Sequence, residues 1–320
     1  MIPESVISIG GGAFYDTGIC NNAGNWTGDV LYIDDCLIAA NEVAIEGDYE
    51  ILQGTRLIAS FAFFNCHSLT GIIIPDSVTI IGESAFLGCT SLSNATIGNG
   101  VTDFGSNVFL NTIIHNSPEF WTGDVLYIDG YLIDVKETIT GNCEILPGTR
   151  LIADYAFNMC SALTSVVIPD GVISIGIGAF TECTLLASVV IPDSVTKIGE
   201  GAFFGCSSLT CITLPGGVAN IGNSFFCNCT SFAEIIIPVS VTSIENGAFH
   251  NCSSLTNVYY CGTEAEWEEI AIDDSNSELI SATRYYYSEE EPALNDDQTA
   301  YDGNYWHYDE EGNPVVWKKE

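Results

Sequence analysis

Apolar residues recur along the chain in a fixed order with a step of 23 residues. Three columns keep this step, and they hold phenylalanine, cysteine and proline. The phenylalanine column is Phe63, Phe86, Phe109, Phe157, Phe180, Phe203, Phe226 and Phe249. The proline column is Pro169, Pro192, Pro215 and Pro238. Columns locked to one period predict a repeat architecture, in which each repeat is one supersecondary unit.

Each repeat predicts three local elements. The L-x-x-L-x-L pattern of residues 163–168 alternates as a short strand with one buried face should. Pro169 ends this strand, because proline has no N–H to donate to a ladder. Residues 172–176 predict a second extended piece that closes at a glycine turn. Residues 179–183 are too few for a stable isolated helix and predict one tight helical turn.

One full unit, residues 191–214, reads IPDSVTKIGEGAFFGCSSLTCITL. The columns I-P-x-S-V-x-x-I-G-x-x-A-F-x-x-C-x-x-L-T over residues 2 to about 260 resemble the BspA-like family of leucine-rich repeats. The resemblance implies a surface protein of a host-associated bacterium or protist, with a role in adhesion or host-protein binding. Because no coil can bury its apolar face alone, coils must stack. We therefore predict an α/β, strand-dominated fold, a right-handed leucine-rich-repeat solenoid of about nine coils over residues 1–260.

The step of 23 residues breaks twice, and both gaps hold the same insert. Residues 26–34 read WTGDVLYID, and residues 121–129 repeat them letter for letter. Asp129-Gly130 is a strong two-residue turn signal between two apolar runs. We predict β-hairpin inserts near residues 21–48 and 116–142. Trp26 and Trp121 either cover the base of each hairpin or form an exposed aromatic contact.

The repeat stops after residue 260. Residues 263–270 have a threonine and an acidic first turn suited to a short helix, and residues 282–287 read as a strand. We interpret residues 261–287 as the C-terminal cap that the end of a solenoid requires. Residues 288–320 read as an acidic tail with a final hairpin formed by residues 305–308 and 314–317. This tail should be removable without loss of stability.

The charge of the chain excludes two classes of partner. It carries 42 Asp and Glu against 7 Lys and Arg, a net charge of -35. Such a field repels nucleic acid, whose phosphates proteins neutralise with Lys and Arg, and it repels anionic lipid surfaces. The sequence has no run of about 18 apolar residues that would predict membrane insertion.

The N-terminus does not read as a signal peptide. Met1 falls within a repeat, which is typical of an expression fragment without its native leader or anchor.

The 13 cysteines predict buried free thiols. Seven occupy one core column, where cysteine behaves as a small hydrophobe. Cβ atoms one coil apart would lie about 4.8 Å apart, beyond the roughly 3.5–4.5 Å of a disulfide. We therefore predict a ladder of thiols. The other six contain no C-x-x-C pair, so neither zinc nor redox chemistry is indicated.

No catalytic, metal-ligating or cofactor-binding residue is predicted. The four histidines have no nucleophile as a motif partner, and Gly10-Gly11-Gly12 has no G-K-[ST] after it, which excludes a Walker motif. Most acids occupy turn positions, such as Asp76, Asp170 and Asp193 right after the repeat proline, and favour turns there. Asp273-Asp274 and Asp296-Asp297 do not fit calcium-loop spacing, although a fortuitous calcium site there stays open.

The outward strand column is the candidate ligand-binding surface. Alternation predicts that it is exposed, and it is uncharged in a very acidic protein. This composition follows either from strand propensity or from a recognition face, since contiguous apolar patches mark interaction sites. The column comprises Ile73, Thr96, Val167, Val190, Thr213, Ile236 and Tyr259. The predicted ligand-binding residues are Val167, Val190, Thr213, Ile236 and Tyr259, together with Trp26 and Trp121.

These features predict a non-enzymatic, monomeric binding protein that is secreted or attached to the cell surface. Its expected ligand is a protein, for example of the host extracellular matrix, and its expected role is adhesion. The alternative is a non-catalytic carbohydrate- or cell-wall-binding module that uses Trp26, Trp121 and the aromatic residues of the tail as stacking platforms.

Overall fold

A computed structural model describes residues 1–297, 299–301 and 303–318. Gln298, Asp302, Lys319 and Glu320, which belong to the predicted acidic tail, lie outside the described residues. The chain forms two compact units. The first comprises Met1–Lys136, Thr149–Ala156 and Ser174–Gly176, and the second comprises Glu137–Gly148, Phe157–Ile173 and Ile177–Glu320.

Short strands make up most of the regular structure. In chain order they are β1 (Trp26–Thr27), β2 (Val30–Ile33), β3 (Cys36–Ala40), β4 (Gly47–Glu50), β5 (Leu57–Ile58), β6 (Leu69–Ile74), β7 (Ile80–Ile81), β8 (Asn94–Ile97), β9 (Asp103–Phe104), β10 (Trp121–Thr122), β11 (Val125–Ile128), β12 (Tyr131–Val135), β13 (Gly141–Glu144), β14 (Leu151–Ile152), β15 (Leu163–Val167), β16 (Ser174–Ile175), β17 (Ser188–Val190), β18 (Lys197–Ile198), β19 (Cys211–Thr213), β20 (Asn220–Ile221), β21 (Glu234–Ile237), β22 (Ser243–Ile244), β23 (Asn257–Tyr260), β24 (Ala271–Ile272), β25 (Thr283–Tyr287), β26 (Tyr305–Tyr308) and β27 (Pro314–Val316).

The helices are all short. They are α1 (Ile113–Asn116), α2 (Glu264–Trp267) and α3 (Ser277–Ser281), with single 3₁₀ turns at Ala23–Asn25 and Pro118–Phe120. None of the described helices is long and apolar enough to cross a membrane.

Parallel strands from successive coils form the sheets, as the repeat predicts. In the first unit the orders are β1-β2-β3-β5-β7-β9, β4-β6-β8 and β10-β11-β12-β14-β16. In the second unit they are β13-β15-β17, β20-β22-β24 and β19-β21-β23-β25-β26-β27. The register places residues 23 apart in the sequence side by side, for example Val167 beside Val190. The predicted strand-dominated solenoid is confirmed. It has about 12 turns, more than the nine coils predicted from the sequence. The sequence count was too low because it included only coils that carry the consensus residues.

The phenylalanine and cysteine columns form the core. In the second unit Phe157 stacks on Phe180 with ring centroids 4.8 Å apart, and Phe180 stacks on Phe203 at 5.4 Å. The thiol of Cys183 donates a hydrogen bond to the carbonyl of Phe157 at 3.1 Å, and that of Cys206 donates to Phe180 at 3.2 Å. All 13 cysteines are free thiols. Five thiols of the column link their coil to the preceding coil in this way, those of Cys89, Cys183, Cys206, Cys229 and Cys252.

The segment predicted as a helical turn is instead a pair of hydrogen-bonded turns. The N–H of Thr181 donates to the carbonyl of Gly178 at 2.9 Å, and the N–H of Cys183 donates to that of Phe180 at 3.2 Å. Gly178 and Glu182 have φ values of 58° and 59°. These left-handed conformations recur from coil to coil and prevent a right-handed helix from continuing.

The inserts contain hairpins and join the sheets of the first unit. β2 pairs antiparallel with β3, and β11 with β12. Each insert also has a third strand, β1 or β10, that precedes the hairpin. The carboxylate of Asp129 accepts a hydrogen bond from the N–H of Ile97 at 2.8 Å, and Asp34 accepts one from Ile2 at 2.6 Å. In both pairs the two residues are 32 positions apart in the sequence. The two copies of the insert therefore share this contact as well as their sequence.

The C-terminal segment carries a capped helix and two further parallel strands. Thr263 and Glu266 form a capping box at the start of α2. Trp267, at the end of α2, is 3% exposed and meets Tyr260 edge to face at 5.3 Å. β25 pairs in parallel with β23, and β26 pairs in parallel with β25 and antiparallel with β27. The strand sheet of the second unit thus continues into the tail.

Candidate functional site

The strand face of the second unit is formed by the outward side chains of β15, β17, β19, β21 and β23. These are Val167, Val190, Thr213, Ile236 and Tyr259. Val167 and Val190 are 43% and 61% exposed, and Thr213 is exposed. The inward neighbours Val166 and Val189 are buried, so the alternation that the sequence predicts holds in these strands.

The expectation that Ile236 and Tyr259 are exposed is wrong. They are only 8% and 5% exposed. Trp306 of β26, which is fully buried, forms one cluster with both side chains, and its ring centroid lies 5.6 Å from that of Tyr259. Burial, together with the nearby Glu234, raises the pKa of Tyr259 to about 12. An external ligand could reach these two positions only by displacing the tail.

The expectation that the strand row is free of charge is also wrong. Glu144 of β13 lies beside Val167, and in the first unit Glu50 of β4 lies beside Ile73. β4 and β13 follow the inserts and do not carry the repeat consensus, so the sequence columns omit them. The exposed part of the strand face is therefore Val167, Val190 and Thr213, with a carboxylate at its edge.

Trp26 is half-buried at the base of the first insert. Its indole N–H donates to the carbonyl of Cys20 at 2.8 Å. Its ring packs against a core cluster that includes Leu31 and Ile38. Of the two roles considered for this residue, these contacts favour packing.

Trp121 has the same backbone setting but different neighbours. Its indole N–H donates to the carbonyl of His115 at 2.8 Å, and the His115 ring meets it edge-on at 5.6 Å. The ammonium of Lys136 lies 5.0 Å from its ring centroid, a cation–π contact. His115 Nε2 lies 2.9 Å from Asp134 Oδ2. We call His115, Asp134 and Lys136 around Trp121 the charged clamp. The corresponding residues of the first insert, 95 positions earlier, are Cys20, Ala39 and Asn41, so the charged clamp is specific to the second copy.

The charged clamp around Trp121 predicts a pH-dependent contribution to stability. The hydrogen bond to Asp134 raises the pKa of His115 above its usual value. The charged pair therefore stabilises the fold fully below the unfolded-state pKa of about 6.5, and the contribution is lost as pH rises through the higher folded-state pKa. Because both side chains are partly exposed, we expect about 1 kcal/mol or less.

The measurement compares the free energy of unfolding of the native protein and His115→Gln from pH 5.5 to 9. The difference should shrink as pH rises, and Asp134→Asn should remove that trend. A difference that does not depend on pH would contradict the assignment.

The other candidate residues from the sequence lie in turns. In the part of the chain that the structure describes, no group of three or more His, Cys, Asp or Glu side chains is arranged to hold a metal ion. Asp273, considered for calcium, accepts hydrogen bonds from the N–H and hydroxyl of Ser275 at 3.0 and 2.6 Å. His67 contacts the carbonyl of Gly88 at 3.0 Å. These side chains hold turns.

Several solved structures are similar to this chain at low sequence identity. A leucine-rich cell surface protein from Faecalibacterium prausnitzii is 23% identical, with coverage of 84% of this chain and 86% of that chain and a TM-score of 0.46. A leucine-rich-repeat protein from T. pallidum is 24% identical, with coverage of 73% and 89% and a TM-score of 0.32. The pneumococcal vaccine antigen PcpA is 21% identical, with coverage of 74% and 68% and a TM-score of 0.42.

No curated protein sequence matches significantly. The sequence profile described as "BspA type Leucine rich repeat region (6 copies)" matches residues 48–132 and 150–278. These ranges contain the phenylalanine and cysteine columns of both units and strands β15 to β23 of the strand face. The match covers well over half of the chain, and the chain therefore belongs to the BspA-type leucine-rich-repeat family.

Proposed function

We propose that this is a non-enzymatic binding protein, secreted or attached to the cell surface, that contacts a protein ligand through Val167, Val190 and Thr213. The observation that carries the proposal is the exposure of two adjacent valines, 43% and 61%, in a chain with a net charge of -35. Interface centres are depleted of charge and need little desolvation of polar groups. Proteins with leucine-rich repeats generally bind proteins and are generally non-enzymatic, which supports this reading.

The finer proposal is adhesion by a monomer to a ligand of a host or neighbouring cell, such as an extracellular-matrix protein. The strand face favours a protein partner, because the exposed side chains at its centre are apolar or uncharged. The carbohydrate-binding alternative would use the exposed aromatic residues. Trp121 gives little support to this carbohydrate-binding alternative, because His115 and Lys136 contact the ring on which a sugar would stack.

The test replaces both valines with glutamate. Val167→Glu with Val190→Glu should weaken ligand capture at least tenfold, because two unpaired carboxylates would be buried at the interface. The matched control is Ile177→Glu with Leu185→Glu, which changes two other exposed apolar side chains, 44% and 53% exposed, outside the face. The readout is binding to immobilised matrix proteins and to mucosal glycans, with circular dichroism to verify folding.

Retained binding in the valine variant would contradict the proposal. If Trp26→Ala then abolished binding to glycans, the insert would be the site and the carbohydrate-binding alternative would stand. If the valine and control variants lost binding equally, added negative charge would be the cause and the face would have no specific role.

A further inference from the structure

Four carboxylates occur close in sequence or register to the exposed part of the strand face. Glu144 lies beside Val167 at one end, and at the other end Glu234 of β21 lies beside Cys211, two residues before Thr213 in β19. Asp170 and Asp193 follow the prolines that come two residues after the ends of β15 and β17, three residues beyond Val167 and Val190. Glu144, Asp170 and Asp193 are exposed and Glu234 is half-buried. None of the four forms an ion pair with a described residue.

Cationic side chains of the same unit stand elsewhere. Among its described residues these are Lys197, Arg284 and Lys318. Lys197 belongs to β18, the short second strand of its coil, and the guanidinium of Arg284 lies 5.6 Å from the Trp267 ring centroid. Lys318 follows β27. The charged groups identified near the uncharged centre of the face are therefore all negative, which is compatible with an interface that has a polar rim.

The dimensions of this surface follow from strand spacing. β15 and β17 belong to one sheet and β19 and β21 to another, with β17 and β19 side by side. With about 4.8 Å between neighbouring strands, Val167 to Thr213 spans roughly 10 Å. Glu144 to Glu234, four strands apart, spans roughly 19 Å. An extended segment advances about 3.3 Å per residue, so six or seven residues would reach from one terminal carboxylate to the other.

We propose that the strand face binds a partner segment that is apolar at its centre and carries Lys or Arg on both sides, an inference that rests on the function proposed above. The apolar side chains of such a segment would cover Val167 and Val190. Its cations would meet the four marginal carboxylates. Rim charges of this kind act mainly on the association rate and on its salt dependence.

The probe is a labelled synthetic peptide of alternating lysine and valine, and its counterparts replace lysine with glutamate or valine with serine. Two protein variants of equal net charge are compared. The face variant is Glu144→Gln, Asp170→Asn, Asp193→Asn and Glu234→Gln. The control variant removes four exposed carboxylates elsewhere and is Glu200→Gln, Glu269→Gln, Asp274→Asn and Asp296→Asn. Stopped-flow binding is followed at 50 and 300 mM salt.

The Lys-Val peptide should bind, and both counterparts should bind at least tenfold more weakly. The face variant should associate about tenfold more slowly than the control variant at low salt, with a shallower dependence on salt. Equal rates for the two variants would overturn the inference, since only total charge would then matter. If Val167→Ser with Val190→Ser weakens binding while the face variant does not, the peptide binds through the valines and its lysines do not contribute, which overturns the inference but leaves the proposed function standing. If neither change has an effect, the proposed function itself fails.

Discussion

Trp306→Ala is expected to lower the free energy of unfolding by about 3–5 kcal/mol, the range for a fully buried aromatic residue replaced by alanine. Trp306 is 0% exposed, and its indole N–H donates to the carbonyl of Tyr260 at 2.9 Å. Its ring also covers Ile236 and Tyr259. The variant would leave a cavity and an unpaired carbonyl, and it would expose two apolar residues of the strand face. Urea denaturation followed by circular dichroism measures the effect.

Trp317→Ala is the matched control. Trp317 directly follows β27, the neighbouring strand of the same hairpin, is half-buried, and donates its indole N–H to the carbonyl of Ser288 at 2.9 Å. We expect a loss of about 1–2 kcal/mol, mainly from the lost hydrogen bond and partial burial. An equal loss in both variants would show that the hairpin contributes as a whole, with no special role for Trp306.

The same contacts revise an expectation from the sequence. A segment that is acidic and lacks the repeat reads as a removable tail, and residues 288–320 were predicted to be dispensable. The structure instead predicts that their deletion destabilises the second unit, because it removes Trp306 and Val316 from the cluster with Tyr259. The burial of Trp306 depends on contacts with residues far away in the sequence. The local sequence pattern around a single tryptophan does not show which surface its ring will cover.

Features set by local periodicity could be read from the sequence. The inward and outward positions of β15 and β17 follow from alternation, and the cysteine column follows from its fixed step. The capping box at Thr263 depends only on residues three apart and was also predictable. The charge of Glu144 on the face was missed, because β13 pairs with β15 without sharing its consensus.

Identical sequence did not guarantee identical surroundings in the inserts. Trp26 and Trp121 lie in segments of nine identical residues, and each donates its indole N–H to a carbonyl six residues earlier. The side chain at that earlier position is Cys20 in one copy and His115 in the other. The repeated motif therefore determines the backbone and the indole hydrogen bond. The residues around the ring differ between the copies, so Trp26 packs against the apolar core and Trp121 contacts His115 and Lys136.

Phe203→Ala is expected to destabilise the second unit by about 3–5 kcal/mol as well, and to do so beyond its own coil. Phe203 is 0% exposed, and its ring centroid lies 5.4 Å from that of Phe180 and 5.6 Å from that of Phe226. Each coil of a solenoid gains stability from its neighbours. A cavity in this stack therefore weakens two coil interfaces at once.

Thiol labelling of Cys206 in native protein measures this local opening. Burial holds the pKa of Cys206 well above its usual range, and its thiol donates to the carbonyl of Phe180, so it should react far more slowly than the exposed Cys211. Labelling tracks the open population, so a local loss of 3 kcal/mol raises its rate by roughly 100-fold. Phe204→Ala, at the half-buried next position, should raise it by less than about tenfold, since less apolar area is lost. If both variants label Cys206 at the native rate, the stacked rings do not hold the coils together, and stability must come from the strand ladders instead.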